Sequence, residues 1–181
     1  MSSMNATLGP LEVIDGRCMV GEFRRPGGSW VEFRTDGLCQ HAPDSEDELI
    51  PWSRIMDGIS VILGRGDPSI GGNYTFPAVV SGLVGRNGHG GGHLDMTLRH
   101  PYEYRSVVFD RHDHSYRVPE AAFLQQLLTQ TVDAGEARRL AEADWLGRAA
   151  ERLAALKFWT TRREISAAVA QARQDGTPVG S

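Results

Sequence analysis

The sequence predicts a small α+β domain in which short antiparallel strands precede an amphipathic helix and a helical C-terminal extension. Apolar and polar residues alternate over 94–98, which is the period of a half-buried strand. Asp-Gly pairs at 15–16 and 36–37 supply the positive φ that tight hairpin turns require. After residue 135 the composition changes to alanine, glutamate and arginine, with apolar residues at helical spacing.

The overall composition describes a globular chain and disfavours several function classes. The 181 residues carry 19 basic and 23 acidic side chains, a net charge of −4, which argues against a nucleic-acid binder because such proteins depend on Lys and Arg contacts to phosphates. No signal peptide and no apolar run of roughly 20 residues is recognised, so a cytoplasmic location is expected. The two cysteines, Cys18 and Cys39, are then expected to be reduced and buried.

The N-terminal part is predicted to be a series of short strands and loops. A turn at Asp15-Gly16 joins two strands, and one at Thr35-Asp36-Gly37 closes a hairpin. Pro51 places its strand at a sheet edge or a strand start, because proline has no N–H for the ladder. The predicted segments, in order, are a flexible lead-in over 1–10, paired strands within 11–22, a hairpin over 30–41, a strand from 49, an undecided strand or helical turn over 55–63 and a strand over 76–84.

The region from 94 to 132 gives the clearest structural signal. Two or three short strands are followed by a helix with Pro119 in its first turn and Glu120 beside it, both favourable positions. Its apolar stripe is predicted to pack on the strands before it. The stripe consists of Phe123, Leu124, Leu127, Leu128 and Val132.

The extension predicts one long helix over 136–159 and a further helix from Arg162 to about Arg173, which Thr161 and Glu164 cap. The aromatic residues of the long helix either dock on the strand module or form an exposed patch for a partner or a second copy of the chain. The candidate partner-binding residues are Leu140, Trp145, Leu146, Leu153, Phe158 and Trp159.

Three local features resemble the bacterial pleckstrin-homology-like (PH-like) domains. These are the strand-turn-strand over 30–38, the segment Leu-Ile-Pro-Trp-Ser-Arg-Ile over 49–55 and a last strand that leads into the helix over 119–132. The resemblance covers about 11–133 and implies an antiparallel β-sandwich or barrel capped by an amphipathic helix. It leaves 134–175 as a helical extension and 176–181 as a tail. It implies a binding module and no catalytic residues.

Candidate chemistry is confined to histidines and a glycine-rich tract. The tract over 85–93 lacks the Lys-Ser/Thr of a P-loop, and its His-Gly-Gly-Gly has no Gly-x-Ser-x-Gly partner, so a hairpin connection is favoured. His89, His93, His112 and His114 are candidate zinc or nickel ligands, with solvated turn residues as the alternative. No cofactor is expected.

Taken together, the sequence favours a non-catalytic interaction module that binds a protein partner, or its own copy, through a sheet edge or the C-terminal helices. One alternative is a metal protein or enzyme built on the four histidines. Another is peripheral binding to an anionic membrane surface, which the net negative charge disfavours.

Overall fold

The computed structural model describes residues 5–63, 91–114, 116–156 and 161–175. These residues form two antiparallel β-sheets and three α-helices around one hydrophobic core. The predicted α+β class is therefore confirmed, and the two sheets do not close into a barrel. The strand predicted over 76–84 and residues 85–90 of the glycine-rich tract lie outside the described residues.

The first sheet is a meander of six strands in which each strand pairs with the next one along the chain. Asp15 and Gly16 both have positive φ between the second and third strands, which is the geometry of a type I′ hairpin turn. Arg34 and Gly37 exchange two backbone hydrogen bonds across the next predicted hairpin. The strands are β1 (Ala6–Leu8), β2 (Leu11–Ile14), β3 (Arg17–Val20), β4 (Trp30–Phe33), β5 (Gly37–His41) and β6 (Glu48–Pro51).

The meander has β1 and β6 as its outer strands, and both positions bear on the sequence predictions. Pro51 lies on the outer strand β6, as its missing N–H predicts, and it is the last residue of that strand. Residues 6–8 were expected in a flexible lead-in, but they form β1, and Leu8 is fully buried. A three-residue strand is too short to show a period, and it is stabilised by pairing with β2 and by contact with a later helix.

The second sheet has three strands in the order β7 (Ser60–Ile62), β8 (Gly92–Leu98) and β9 (Glu103–Phe109). Alternation along β8 and β9 places Leu94, Met96, Val107 and Phe109 in the core. The undecided segment 55–63 contains an isolated bridge from Ile55 to Leu98 and then β7. The two strands predicted within 94–109 are thus confirmed.

The first helix, α1 (Val118–Asp133), follows β9 as predicted. Pro119 lies in its first turn, and the Glu120 carboxylate accepts a hydrogen bond from the Arg117 N–H at 3.3 Å. All five residues of the predicted apolar stripe are buried. The helix contacts β7 and β1 and thus covers both sheets.

The extension is not one long helix. A 3-10 segment (Ala137–Ala141) is followed by Glu142, whose ψ of 94° is extended, and then by α2 (Ala143–Ala154). The break lets Leu140 and Leu146 both reach the core, where each is fully buried. A helical repeat in the sequence cannot reveal such a break, because the apolar spacing continues across it.

The last helix, α3 (Arg162–Asp175), has the predicted cap. Thr161 Oγ1 accepts from the Glu164 N–H at 3.2 Å, and the Thr161 N–H donates to the Glu164 carboxylate at 2.9 Å. Helix α2 packs on β1, β2 and β3 and on α3, while α3 also contacts α1. The extension therefore belongs to the same core as the strands. None of the helices in the described ranges has the length and hydropathy needed to cross a lipid bilayer.

Candidate functional site

The four histidines predicted as metal ligands do not form one site in the described part of the chain. His89 lies outside the described residues. His93 is on β8, with its Nε2 atom 3.5 Å from a carboxylate oxygen of Asp95. The rings of His112 and His114 stack on each other at a centroid distance of 5.1 Å. No group of three potential metal ligands among the described residues includes them.

His112 belongs instead to a buried cluster that joins β2 to the segment before α1. Its Nε2 atom lies 2.7 Å from Oε1 of Glu12, without the alignment of a hydrogen bond. Its Nδ1 atom is 2.7 Å from the Tyr116 hydroxyl, which also accepts the His112 backbone N–H at 2.8 Å. Both guanidinium nitrogens of Arg24 donate to the Glu12 carboxylate, at 2.7 and 3.3 Å.

The side chains at the centre of this cluster are almost fully buried. The side chains of His112 and Glu12 are only 3% and 8% exposed. Burial lowers the pKa of His112, although the nearby Glu12 carboxylate acts in the opposite direction. The imidazole is therefore neutral near neutral pH, and it lies between Tyr116 and Glu12. We assign the cluster a structural role.

A second polar cluster lies on the outer face of the six-stranded sheet. Cys39 and His41 are two residues apart on β5, so their side chains point to the same face. The β5–β6 register pairs Gln40 with Glu48, and its continuation by one residue places Asp47 opposite His41. One donor atom from each of Cys39, His41 and Asp47 lies within 4.8 Å of the other two. The strand register therefore assembles a sulfur, a nitrogen and an oxygen donor at one point.

The imidazole of His41 is held on three sides. Its ring stacks on that of Trp30 at a centroid distance of 3.8 Å. Nδ1 lies 2.9 Å from Oδ1 of Asp47, and Nε2 lies 3.5 Å from Oε2 of Glu32. Glu32 in turn accepts a hydrogen bond from Nε of Arg17 at 2.8 Å. The two nitrogens of His41 thus face two different carboxylates.

The charge state of Glu32 follows from its neighbours. Burial acts to raise the pKa of this carboxyl, but the hydrogen bond and the positive charge of Arg17 outweigh it, and His41 acts in the same direction. The pKa is lowered, and Glu32 is ionised at neutral pH. Cys39 is buried, and Arg34 donates to its sulfur at 3.7 Å. The Asp47 side chain is 57% exposed and forms the open side of the cluster.

Sequence reasoning did not find this cluster, although part of its signal is present. The spacing Cys39-x-His41 on a predicted strand already places both side chains on one face. Asp47 lies between the predicted hairpin over 30–41 and the predicted strand from 49, and its position opposite His41 depends on the register of β6. A register is fixed by tertiary pairing and cannot be read from either strand alone.

Four of the six residues predicted to bind a partner through the extension are buried in the core. Trp145 docks, with its indole N–H donating to the Arg173 carbonyl at 3.2 Å and the Arg139 guanidinium 4.5 Å from its ring centre. For these helices the structure therefore favours docking over an exposed patch. Leu140, Trp145, Leu146 and Leu153 are at most 1% exposed, and Phe158 and Trp159 lie outside the described residues.

The exposed apolar side chains of the described residues concentrate at β9. Tyr102, Tyr104 and Val108 are 73%, 63% and 48% exposed. Tyr104 and Val108 share one face of β9 because their spacing is even, and exposed Ser106 lies between them; Tyr102 is in the turn just before the strand. Burial of its hydroxyl and a hydrogen bond to Asp95 raise the pKa of Tyr104 to about 12, although most of its ring faces solvent.

Strand β9 is also a sheet edge, since β8 is its only partner strand in the described ranges. Just beyond its C-terminal end, the Asp110 N–H donates to the Ser29 carbonyl, and the Asp110 carbonyl accepts from the Glu22 N–H. These bonds anchor the strand to the first sheet.

A scan against protein-family models, a search of curated proteins and a search of solved structures each found no match. The function is therefore inferred from the geometry of the chain itself.

Proposed function

We propose that the protein is a non-catalytic interaction module that binds an extended segment of a protein partner along β9. The observation that carries this proposal is the exposed Tyr104 and Val108 on one face of an edge strand, with exposed Tyr102 in the turn just before it. Exposed aromatic residues are enriched at protein interfaces, and an open strand edge offers backbone hydrogen bonds to an added strand.

The choice of β9 over the C-terminal helices follows from burial. The apolar face of α2 is covered by β1, β2 and β3, so it is already used within the chain. The exposed side chains of β9 face away from the core, while Val107 and Phe109 of the same strand point into it. A sheet edge was one of the two surfaces that the sequence favoured, and the exposure of Tyr104 and Val108 in the described part of the chain supports it over the helices.

The charges around β9 indicate what kind of partner fits. Arg105 pairs with Glu48 at 2.9 Å and with Glu103 at 3.1 Å, and Arg54 also reaches Glu103 at 3.3 Å. These charges are paired within the chain, so they leave no strong excess of either sign beside β9. We infer a partner strand with aromatic or β-branched residues at alternate positions, because such pairs stabilise neighbouring strands.

The PH-like resemblance and the cytoplasmic location are parts of the same proposal. The meander of antiparallel strands and the helix that directly follows the last of them support a PH-like arrangement. Because Arg105 is paired with Glu48 and Glu103, it does not provide a basic surface beside β9 for anionic lipids. Binding to a protein is therefore favoured over binding to a membrane surface.

The proposal is tested by placing a photo-crosslinking residue at Tyr104 in the full-length protein in its own cells. We expect a crosslink to one extended segment of a partner, identified by mass spectrometry, and its loss when Val108→Asp is introduced. A crosslinking residue at Leu49, which is 40% exposed on β6, serves as the matched control and should give no such product.

Strand addition makes a second, independent prediction for the purified complex. Backbone amides of β9 should exchange more slowly with deuterium when the partner segment is bound, because they gain hydrogen bonds. Protection confined to α2 and α3, or equal crosslinking from Tyr104 and Leu49, would contradict the proposal. A crosslink from Tyr104 to β9 of a second copy would replace the partner with a symmetric dimer and refute the partner assignment.

A further inference from the structure

The geometry points to a zinc site formed by Cys39, His41 and Asp47 on the outer face of the six-stranded sheet. This inference is independent of partner binding at β9 and concerns different residues. It also differs from the metal hypothesis built on His89, His93, His112 and His114, which the described part of the chain does not bring together.

The donor atoms are close to the separations that zinc requires. Tetrahedral zinc with bonds of about 2.3 Å to sulfur and about 2.0–2.1 Å to nitrogen and oxygen holds its ligands about 3.4–3.6 Å apart. The donors of Cys39, His41 and Asp47 all lie within 4.8 Å of one another, and His41 Nδ1 and Asp47 Oδ1 are 2.9 Å apart. Small side-chain movements would therefore bring the three donors to bonding distance.

The neighbours of the cluster match those of a metal-bound histidine. If Nδ1 of His41 binds the ion, its Nε2–H faces the carboxylate of Glu32, which is 3.5 Å away. A carboxylate behind a histidine ligand fixes the tautomer and the ring orientation. Stacking on Trp30 holds the ring plane, and Arg34 remains a hydrogen-bond donor to the Cys39 sulfur.

The donor set selects the class of metal. A thiolate with an imidazole and a carboxylate suits zinc, whereas magnesium and calcium prefer oxygen ligands alone. Three protein ligands leave a fourth position for water, and the exposed Asp47 gives the ion a path from solvent. On binding, the Cys39 thiol releases one proton to buffer, while the neutral His41 ring keeps its single N–H on Nε2, towards Glu32, and leaves Nδ1 free for the ion.

The test uses full-length protein without a histidine tag, treated with a chelator and then titrated with Zn²⁺ in a calorimeter and with Co²⁺ in a spectrophotometer. We expect one equivalent of zinc and, with cobalt, the thiolate-to-metal charge-transfer band together with the intense visible bands of a four-coordinate ion. Cys39→Ala should abolish the charge-transfer band, and Asp47→Asn should weaken zinc binding by about 10-fold or more.

Matched controls separate this site from nonspecific binding. Cys18→Ala removes the other cysteine, which lies on the core face of β3, and His93→Gln removes a histidine of the second sheet. Both should bind as the unmodified protein does. Asp47→Asn alters an exposed side chain, so its effect does not depend on refolding of the core. Zinc binding that survives Cys39→Ala, or the absence of a charge-transfer band in the unmodified protein, would overturn the inference.

Discussion

Replacing Leu146 with alanine tests whether α2 belongs to the core of the chain or to an interface between copies. Leu146 is fully buried in the structure of the single chain. Removing such a side chain loses about 1.5–3 kcal/mol of transfer free energy, and the cavity left behind brings the usual total to about 2–5 kcal/mol. We expect Leu146→Ala to lower the free energy of unfolding by about 3 kcal/mol without changing the molecular mass.

The matched control for this substitution is Leu156, just beyond α2, which is 40% exposed. Leu156→Ala leaves no closed cavity and should lower the free energy of unfolding by about 1 kcal/mol or less. Urea unfolding followed by circular dichroism and by tryptophan fluorescence gives both values, and light scattering after size-exclusion chromatography gives the mass. If Leu146→Ala costs no more than Leu156→Ala and halves the mass, then α2 packs between copies and the reasoning is refuted.

Three further predictions follow from single groups. Burial lowers the pKa of His112, so as the pH falls below about 6.5 the unfolded chain binds a proton at this residue before the folded chain does, and the free energy of unfolding decreases. Urea unfolding between pH 7 and 5 should show this decrease. His112→Gln should reduce the dependence on pH, and His114→Gln should not. Asp95→Asn should lower the pKa of Tyr104 from about 12, and an ultraviolet absorbance titration would measure this change. An unchanged pKa would mean that the hydrogen bond to Asp95 does not raise the pKa of Tyr104. Thr161→Ala removes the cap of α3 and should lower the free energy of unfolding by about 1 kcal/mol, whereas a change of less than a few tenths would show that the cap is not stabilising.

Much of the fold was predictable because local signals and tertiary contacts agree. The Asp15-Gly16 turn needs positive φ at both positions, and the structure has it, so the β2–β3 hairpin follows from two residues. The apolar stripe of α1 and its first-turn Pro119 fix that helix in the same way. In both cases the residues that determine the element lie within it.

The features that were not predicted depend on partners distant in sequence. Strand β1 exists because residues 6–8 pair with β2 and lie under α2. The extended Glu142 interrupts the predicted long helix where Leu140 and Leu146 both turn to the core. The Cys39–His41–Asp47 cluster requires the β5–β6 register, and the identification of β9 as an accessible edge requires knowing which strands neighbour it. None of these facts is contained in a local window of sequence.

The two sheets differ in what they present to solvent, and this difference supports the proposal that β9 is the binding surface. The outer face of the six-stranded sheet carries paired polar groups, among them Arg17 with Glu32 and His41 with Asp47. The outer face of β9 follows the same alternation, yet it carries Tyr104 and Val108. Selection for solubility alone would favour polar residues at both faces, because exposed apolar strand edges promote aggregation. The apolar side chains on the outer face of β9 therefore support the proposal that a partner covers this strand.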